Sequence, residues 1–482
     1  MLTPSELSLC FISGKWQPAI SKKQFSVCNP ATQEAIGRVP NCDEQDTELA
    51  IAAAQTAFHT WRQQTAKQRA DLLMGWRDLI LANESTLAQL MTLECGKPIA
   101  ESEREVRYAA SFIQWFSEEA KRVRGDLIPE PSKDRRLLVQ KQPVGVCAAI
   151  TPWNFPLAMI ARKCAPALAS GCTVIIKPAE QTPLSALAIA KLAELAGIPD
   201  GVFNVITTSQ PDNVGAVLAS HPLVRKISFT GSTGVGKKLL GQAAQTVKSV
   251  SMELGGNAPF IIFDDADLES AIKGAIGSKF RNNGQTCVCA NRFIVHESLV
   301  ERFAQLLAQQ ANQLIVGDGL DRQTELGPLI NQTAVGKLDR LLEDAISKGA
   351  KLVTGGGIHP AGPLFYKPTV ITGVNTEMDI AHEEIFGPIA AVYSFATEQQ
   401  AIQLANATPY GLAAYFFTTD ISRIFRVSDA LDFGMVGINE GVMSSEMAPF
   451  GGMKESGLGR EGSHYGIDEY LEVKYLCLGG LS

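Results

Sequence analysis

Cys287 stands in Gly284-Gln285-Thr286-Cys287-Val288-Cys289, among small residues and directly after Asn282-Asn283, a run that ends any preceding helix. A thiolate presented there to a cleft is a strong nucleophile toward a carbonyl carbon. Glu253, in Met252-Glu253-Leu254-Gly255-Gly256, ends an apolar stretch and meets two glycines, where partial desolvation would raise a carboxylate toward the range of a useful base. Asn154, in Trp153-Asn154-Phe155-Pro156, follows the apolar run 144–150 and can donate an amide N–H to a developing oxyanion, an interaction of about 3 kcal/mol in other oxyanion holes. Each residue taken singly also has a plain structural reading: a buried inert thiol, a carboxylate at a domain edge, an asparagine in a turn.

Gly231-Ser232-Thr233-Gly234-Val235-Gly236-Lys237 follows a strand and opens a helix, the setting in which backbone N–H groups bind phosphate. It falls short of a nucleoside-triphosphate loop, because position 238 is a second lysine where a magnesium-binding Ser or Thr is needed. The loop is not a G-x-G-x-x-G fingerprint either. Two readings remain: a helix N-terminus that cradles a pyrophosphate, and a glycine turn required by tight strand-to-helix packing.

The elements that must carry these residues alternate. Apolar spacing predicts helices over 46–62, 67–95 and 98–123, an outer layer occupying most of the first 140 residues. Short β-branched runs at 144–150, 173–176, 202–206 and 226–229, separated by helical stretches 183–196 and 211–219, predict a parallel sheet with crossover helices. A second series starts near Pro259. Its strand 260–263 precedes Asp264, Asp265 and Asp267, which can cap a helix whose apolar face holds Leu268, Ile272, Ala275, Ile276 and Phe280, and the strand 292–296 follows Cys287. Two α/β units imply a cleft between them. The stretches 133–142 and 470–478 fit neither unit and suit a sheet extended across a subunit boundary.

A chain of 482 residues is too long for one hydrophobic core, and 45% hydrophobic with 19% charged residues is ordinary globular composition. With 43 basic against 50 acidic residues the net charge is −7, which gives no global field for nucleic acid or an anionic membrane. Ten scattered cysteines without a C-x-x-C pair argue for reduced thiols and against structural zinc, so no metal is expected. The start Met1 to Glu6 lacks the flank and core of a signal peptide, and no apolar run has the length to cross a bilayer; the expected location is the cytoplasm.

Six strings occur in order: WNFP (153–156), KPAE (177–180), FTGST (229–233), MELGG (252–256), GQTC (284–287) and EEIFGP (383–388). Together they resemble the aldehyde dehydrogenase superfamily across essentially the whole chain. The resemblance implies an α/β fold of two Rossmann-like parallel-sheet domains with a cleft between them and a small β oligomerisation element. The dinucleotide-binding domain would take 1–124 and 143–253, the catalytic domain 254–460, and the oligomerisation element 125–142 and 461–482, in a homodimer or homotetramer. It implies that Cys287 attacks the aldehyde to give a thiohemiacetal, that Asn154 and the Cys287 N–H hold its oxyanion, and that Glu253 activates the water that hydrolyses the later thioester. It further implies that Trp153, Lys177, Glu180, Gly231, Ser232, Glu384 and Phe386 bind NAD or NADP. Lys177 and Glu180 would take the adenine ribose, Gly231 and Ser232 the pyrophosphate, and Glu384 and Phe386 the nicotinamide ribose. A carboxylate at Glu180 can accept both ribose hydroxyls and would repel a 2′-phosphate, so NAD is expected over NADP.

Arg281, six residues before Cys287, and Arg162, eight after Asn154, are guanidinium groups suited to clamping a distal carboxylate, or else solvated helix-end charges. With Ser445 they resemble the carboxylate-binding set of succinate-semialdehyde dehydrogenases. The expected substrate is therefore a short ω-oxo acid, succinate semialdehyde first, with glutarate semialdehyde as the rival one methylene longer. Cys289 resembles a second cysteine with which some members form a reversible disulfide, and a small core residue is the duller alternative.

Overall fold

The β-branched runs between residues 144 and 253 become the parallel centre of an eight-stranded sheet in the computed structural model, which describes residues 6–481. Its order is Gly457–Leu458, Ser249–Glu253, Val224–Thr230, Val146–Ile150, Thr173–Lys177, Phe203–Val205, Cys10–Ile12 and Lys15–Gln17, antiparallel only at its two ends. Alternate residues of the central strand feed opposite cores: Cys147 and Ala149 pack toward the helices Ala66–Ala82, Ile99–Glu119 and Ala158–Ser170, while Val146, Ala148 and Ile150 pack toward Glu44–Trp61 and Pro211–Ser220. Strands covered on both faces read as continuous apolar runs, which is why they were legible.

The second series forms a seven-stranded sheet in the order Lys351–Thr354, Thr369–Thr372, Ile389–Phe395, Ala290–His296, Ala258–Ile262, Ala413–Phe417 and Met435–Ile438, parallel except for its first strand. The helix Leu268–Lys279 is capped by Asp267, whose side chain accepts from Glu269 N–H. A third, antiparallel sheet joins Leu471–Leu478, Arg136–Pro143 and Asp126–Ile128, and leaves Leu127 and Val473 about 70% exposed.

Three departures from the sequence reading have physical causes. The expected helix 67–95 is two helices, Ala66–Ala82 and Glu84–Cys95, because Asn83 leaves helical geometry and its side-chain amide donates to Leu79 O. The outer layer is helical only from Glu44; ahead of it lie four short strands, two of which close the edge of the first sheet. Residues 461–470, grouped by sequence with the small β element, return to the first unit instead. There Ile467 and Tyr470 enter its core and Glu461 meets Arg162 and Lys163, so the chain joins the three-stranded sheet only from Leu471. The chain thus passes between the two units twice, at 253–258 and again at 450–457. Residues 1–5, the start read above for a leader, lie outside the described residues. No helix among the described residues is long and apolar enough to cross a membrane.

Candidate active site

The loop after the first sheet's strand Val146–Ile150 and the loop before the second sheet's strand Ala290–His296 meet at a cavity of about 590 Å³, walled in part by Cys287, Arg162, Arg281, Phe155, Ser444 and Phe450. For the first sheet this is the carboxyl end, where open α/β sheets present their ligands, whereas the second sheet contributes a loop at its amino end.

Cys287 follows a turn held in left-handed backbone: Asn282 at φ 48°, Asn283 at 55° and Gly284 at 73°. Asparagine and glycine tolerate that region, and a Cβ on Gly284 would lie 2.3 Å from Gly387 O. Buried polar groups lock the loop. Asn282 N–H donates to both oxygens of Glu101 (3.1 and 2.9 Å), Asn283 Nδ2 donates to Gly327 O (2.9 Å), and Gln285 Oε1 accepts from Ile330 N–H (3.0 Å). Cys287 itself stays partly exposed among buried neighbours. Burial, then the carboxylates of Glu253 and Glu384, push its thiol up to about 12, opposed by Arg162 and Arg281.

Glu253 ends its strand with both carboxylate oxygens buried and without a hydrogen-bond partner. Burial, and secondarily Glu461, raise its pKa well above the ordinary carboxylate range, against Arg162, Lys163 and Arg460. The glycines after it permit close approach: a Cβ on Gly256 would lie 2.5 Å from Cys287 O. The sulfur and this carboxylate therefore belong to one electrostatic site.

Asn154 is buried at the start of the loop leading into Ala158–Ser170. Its Nδ2 donates one hydrogen to Gln285 O (2.9 Å), in the cysteine loop, and its second amide hydrogen has no partner there. Its backbone oxygen accepts from Asn282 Nδ2 (3.1 Å) and from the Lys97 ammonium (2.6 Å). Lys97 is ion-paired with Glu105, and Glu105 Oε1 accepts the N–H groups of Leu157 and Ala158 (2.9 and 3.0 Å) at the head of the next helix. Sequence reasoning missed Lys97, Glu101 and Glu105. The signal was there in part, since Glu105 falls on the stripe of Ser102, Val106, Ala109, Phe112 and Phe116 that the helix Ile99–Glu119 buries.

The two arginines are not equivalent. Arg162, 3% exposed, pairs with Glu461 at 2.9 Å and lies 3.9 Å over the Phe450 ring, so its charge is already countered. Glu461, also paired with Lys163 at 2.5 Å, is held below its usual pKa by these cations in spite of its burial. Arg281 sits 5.8 Å over Phe155; the Nε atoms of both arginines are buried without a hydrogen-bond partner, so the ion pair to Glu461 is what distinguishes Arg162. Ser445 is not on the cavity wall: its hydroxyl turns back to accept Met447 N–H (3.3 Å), and the neighbouring Ser444 takes the place expected of it. Cys289 is buried, its thiol directed at Lys279 O (3.4 Å), and both cysteines of the pair are free.

None of the residues expected at a dinucleotide lines that cavity. Trp153 meets Phe386 edge-on at 5.7 Å, with Phe386 at φ 55°. Glu384 accepts Gly256 N–H (3.0 Å), and burial raises it to about 7, against that N–H, Lys337 and Lys279. Lys177 is buried with its ammonium 3.9 Å from Glu180, and desolvation lowers its pKa. Ser232 begins the helix Thr233–Ala243 without a side-chain cap, which leaves the first amides open, and a Cβ on Gly231 would strike the Phe229 ring at 2.4 Å. An uncapped helix N-terminus, a half-paired buried ammonium and a carboxylate near it fit a pyrophosphate and a ribose. Lys237, which a triphosphate loop would aim at phosphate, instead pairs with Glu455 at 2.8 Å.

Comparison with known proteins gives one result throughout. A model of the aldehyde dehydrogenase family matches residues 16–476. The chain is 56% identical to a 3-sulfolactaldehyde dehydrogenase of Pseudomonas putida, covering 98% of this chain and 97% of that one. It is 54% identical to the NADP(+) succinate-semialdehyde dehydrogenase of Escherichia coli, covering 97% of each. Among solved structures, a succinate-semialdehyde dehydrogenase from Burkholderia pseudomallei superposes with a TM-score of 0.98 at 56% identity over 99% of both chains.

Proposed function

The chain belongs to the aldehyde dehydrogenase family, and from that premise we propose that it oxidises a short aldehyde with a distal anionic group, succinate semialdehyde foremost, using NAD(P). The observation that carries this reading is Arg281, a half-buried residue whose Nε is buried without a hydrogen-bond partner, on the wall that also holds Cys287. A buried guanidinium N–H without an acceptor is costly unless a ligand supplies one, and an anionic group is the strongest acceptor for it.

The steps follow from the groups in place. The Cys287 thiol rests protonated, so its proton must leave as sulfur attacks the carbonyl carbon, and Glu253 is the base whose charge the sulfur feels. As the C–S bond forms, the carbonyl oxygen becomes an oxyanion, held by the free Asn154 amide hydrogen and the Cys287 N–H. When bound, the nicotinamide supplies the hydride acceptor that turns the thiohemiacetal into a thioester. Once that first proton has passed to solvent, Glu253, its oxygens unsatisfied by protein, takes a proton from water as that water attacks the thioester, and when the C–S bond breaks the departing sulfur takes this proton back to regenerate the thiol as the acid leaves.

The distal anion is a carboxylate in this reading. A sulfonate is the second reading, favoured by the 56% identity to the sulfolactaldehyde enzyme, and glutarate semialdehyde differs by a methylene worth about 1 to 3 kcal/mol of discrimination. For the cofactor we favour NAD. Glu180, with 37% of its side chain exposed, can accept ribose hydroxyls and repels a 2′-phosphate, although the similar E. coli enzyme is named for NADP. The exposed apolar residues Leu127 and Val473 on the three-stranded sheet suit assembly with further copies of the chain, and ten free cysteines suit a reducing cytoplasm.

Steady-state kinetics with succinate semialdehyde, glutarate semialdehyde, a sulfonated aldehyde and an uncharged aldehyde, each with both cofactors, test the proposal. Arg281→Gln should lower kcat/KM for the anionic aldehydes about 100-fold and barely change it for the uncharged one. Preference of the parent enzyme for the uncharged aldehyde would overturn the assignment.

A further inference from the structure

The two groups assigned to the sulfur and the oxyanion come from different units: Cys287 from the loop before the second sheet's strand Ala290–His296, and Asn154 from the loop after the first sheet's strand Val146–Ile150. Something must set their separation, since an oxyanion donor acts only within hydrogen-bond reach of the reacting oxygen. The helix Ile99–Glu119, together with Lys97 two residues ahead of it, touches both loops. Glu101 accepts the N–H of Asn282 on the cysteine side. One turn further along, Glu105 accepts the N–H groups of Leu157 and Ala158 on the asparagine side. Lys97 closes the frame: its ammonium binds Glu105 and donates to Asn154 O, and it lies 4.2 Å over the Phe155 ring. Asn282 Nδ2 reaches the same carbonyl oxygen, so both sides converge on one atom of Asn154.

Stability alone is a poor reason for this arrangement. The Lys97 and Glu105 side chains are 0% and 1% exposed, and a fully buried ion pair seldom repays its desolvation. A plain helix cap needs only a local Ser, Asp or Asn, not a lysine and glutamate delivered from a separate helix.

We infer that Lys97, Glu101 and Glu105 are positioning residues, forming a bracket that fixes Asn154 relative to the cysteine loop and so sets the gap in which the oxyanion develops. The inference rests on the proposed roles of Cys287 and Asn154. None of the three touches the reacting atoms.

The test uses the full-length enzyme and the variant Lys97→Met/Glu105→Gln, which removes the ammonium without stranding a buried carboxylate and keeps an oxygen for the Leu157 and Ala158 N–H groups. Single-turnover formation of reduced nicotinamide should slow about 10- to 100-fold, with KM for the aldehyde changed less than about 3-fold. Alkylation of Cys287 by iodoacetamide, a displacement in which no oxyanion forms, should keep its rate. Because the bracket acts through Asn154, combining the variant with Asn154→Ala should be no slower than Asn154→Ala alone. The inference is overturned if hydride formation is unchanged, if alkylation falls in step with it, or if the losses multiply in the combined variant. Failure of the underlying reading shows separately: Asn154→Ala alone would then turn over at the parent rate.

Discussion

The loop of Cys287 and the loop of Asn154 solve the same problem by opposite means. The first stores its shape in the backbone, with three consecutive residues in left-handed conformation and side-chain amides tied to nearby carbonyls. The second has no such residues between 151 and 157 and is held from outside, by the buried charges of Glu105 on another helix and Lys97 just ahead of that helix. A shape written into local backbone is rigid on its own, whereas one imposed from a distance depends on the packing of the whole unit.

The sharpest way to break the comparison is Gly284→Ala. The new Cβ would lie 2.3 Å from Gly387 O at a positive φ, so turnover should fall more than about 100-fold with a lower Tm, measured by kinetics and thermal melts. Next, Asn282→Gly keeps the permitted backbone and loses only the side-chain bonds to Asn154 O and Gln285 O, while Asn282→Ala loses the bonds and the permitted backbone together. Turnover about 3- to 10-fold down in the glycine variant, and further down in the alanine variant, would confirm that backbone shape dominates on this side. The pH dependence sharpens it further. With a thiol pKa of about 12, Cys287 alkylation should climb about tenfold per pH unit across the neutral and alkaline range. A negative neighbour raises a thiol pKa, so at the alkaline end, where Glu253 is ionised, Glu253→Gln should alkylate faster than the parent while its turnover collapses. The smallest effect belongs to Glu101→Gln, which still offers an oxygen to Asn282 N–H; turnover should change by less than about 3-fold.

These contrasts explain what could be read from the chain alone. Asn282-Asn283-Gly284 announces its turn because only such residues take positive φ cheaply, and the apolar runs of both sheets announce buried parallel strands. Lys97 and Asn154 are 57 residues apart, and nothing local marks them as partners; a carboxylate on a buried helical stripe signals that a partner exists but not which one. Ser444 and Ser445 could not be separated because the choice depends on a single turn at Met447. The three-residue strands Cys10–Ile12 and Lys15–Gln17 are too short to show any period, and the return of residues 461–470 depends on ion pairs formed with a helix some 300 positions earlier.

A cleft whose walls are joined by one strap can gape like a book. Here straps at 253–258 and 450–457 run side by side, with Leu254 N–H donating to Ser456 O between them. Such a doubled spine resists wide swinging and leaves admission to side chains and surface segments at the mouth, among them the exposed Val442 on the cavity wall. Overall dimensions in solution should accordingly stay the same whether the enzyme is empty or filled.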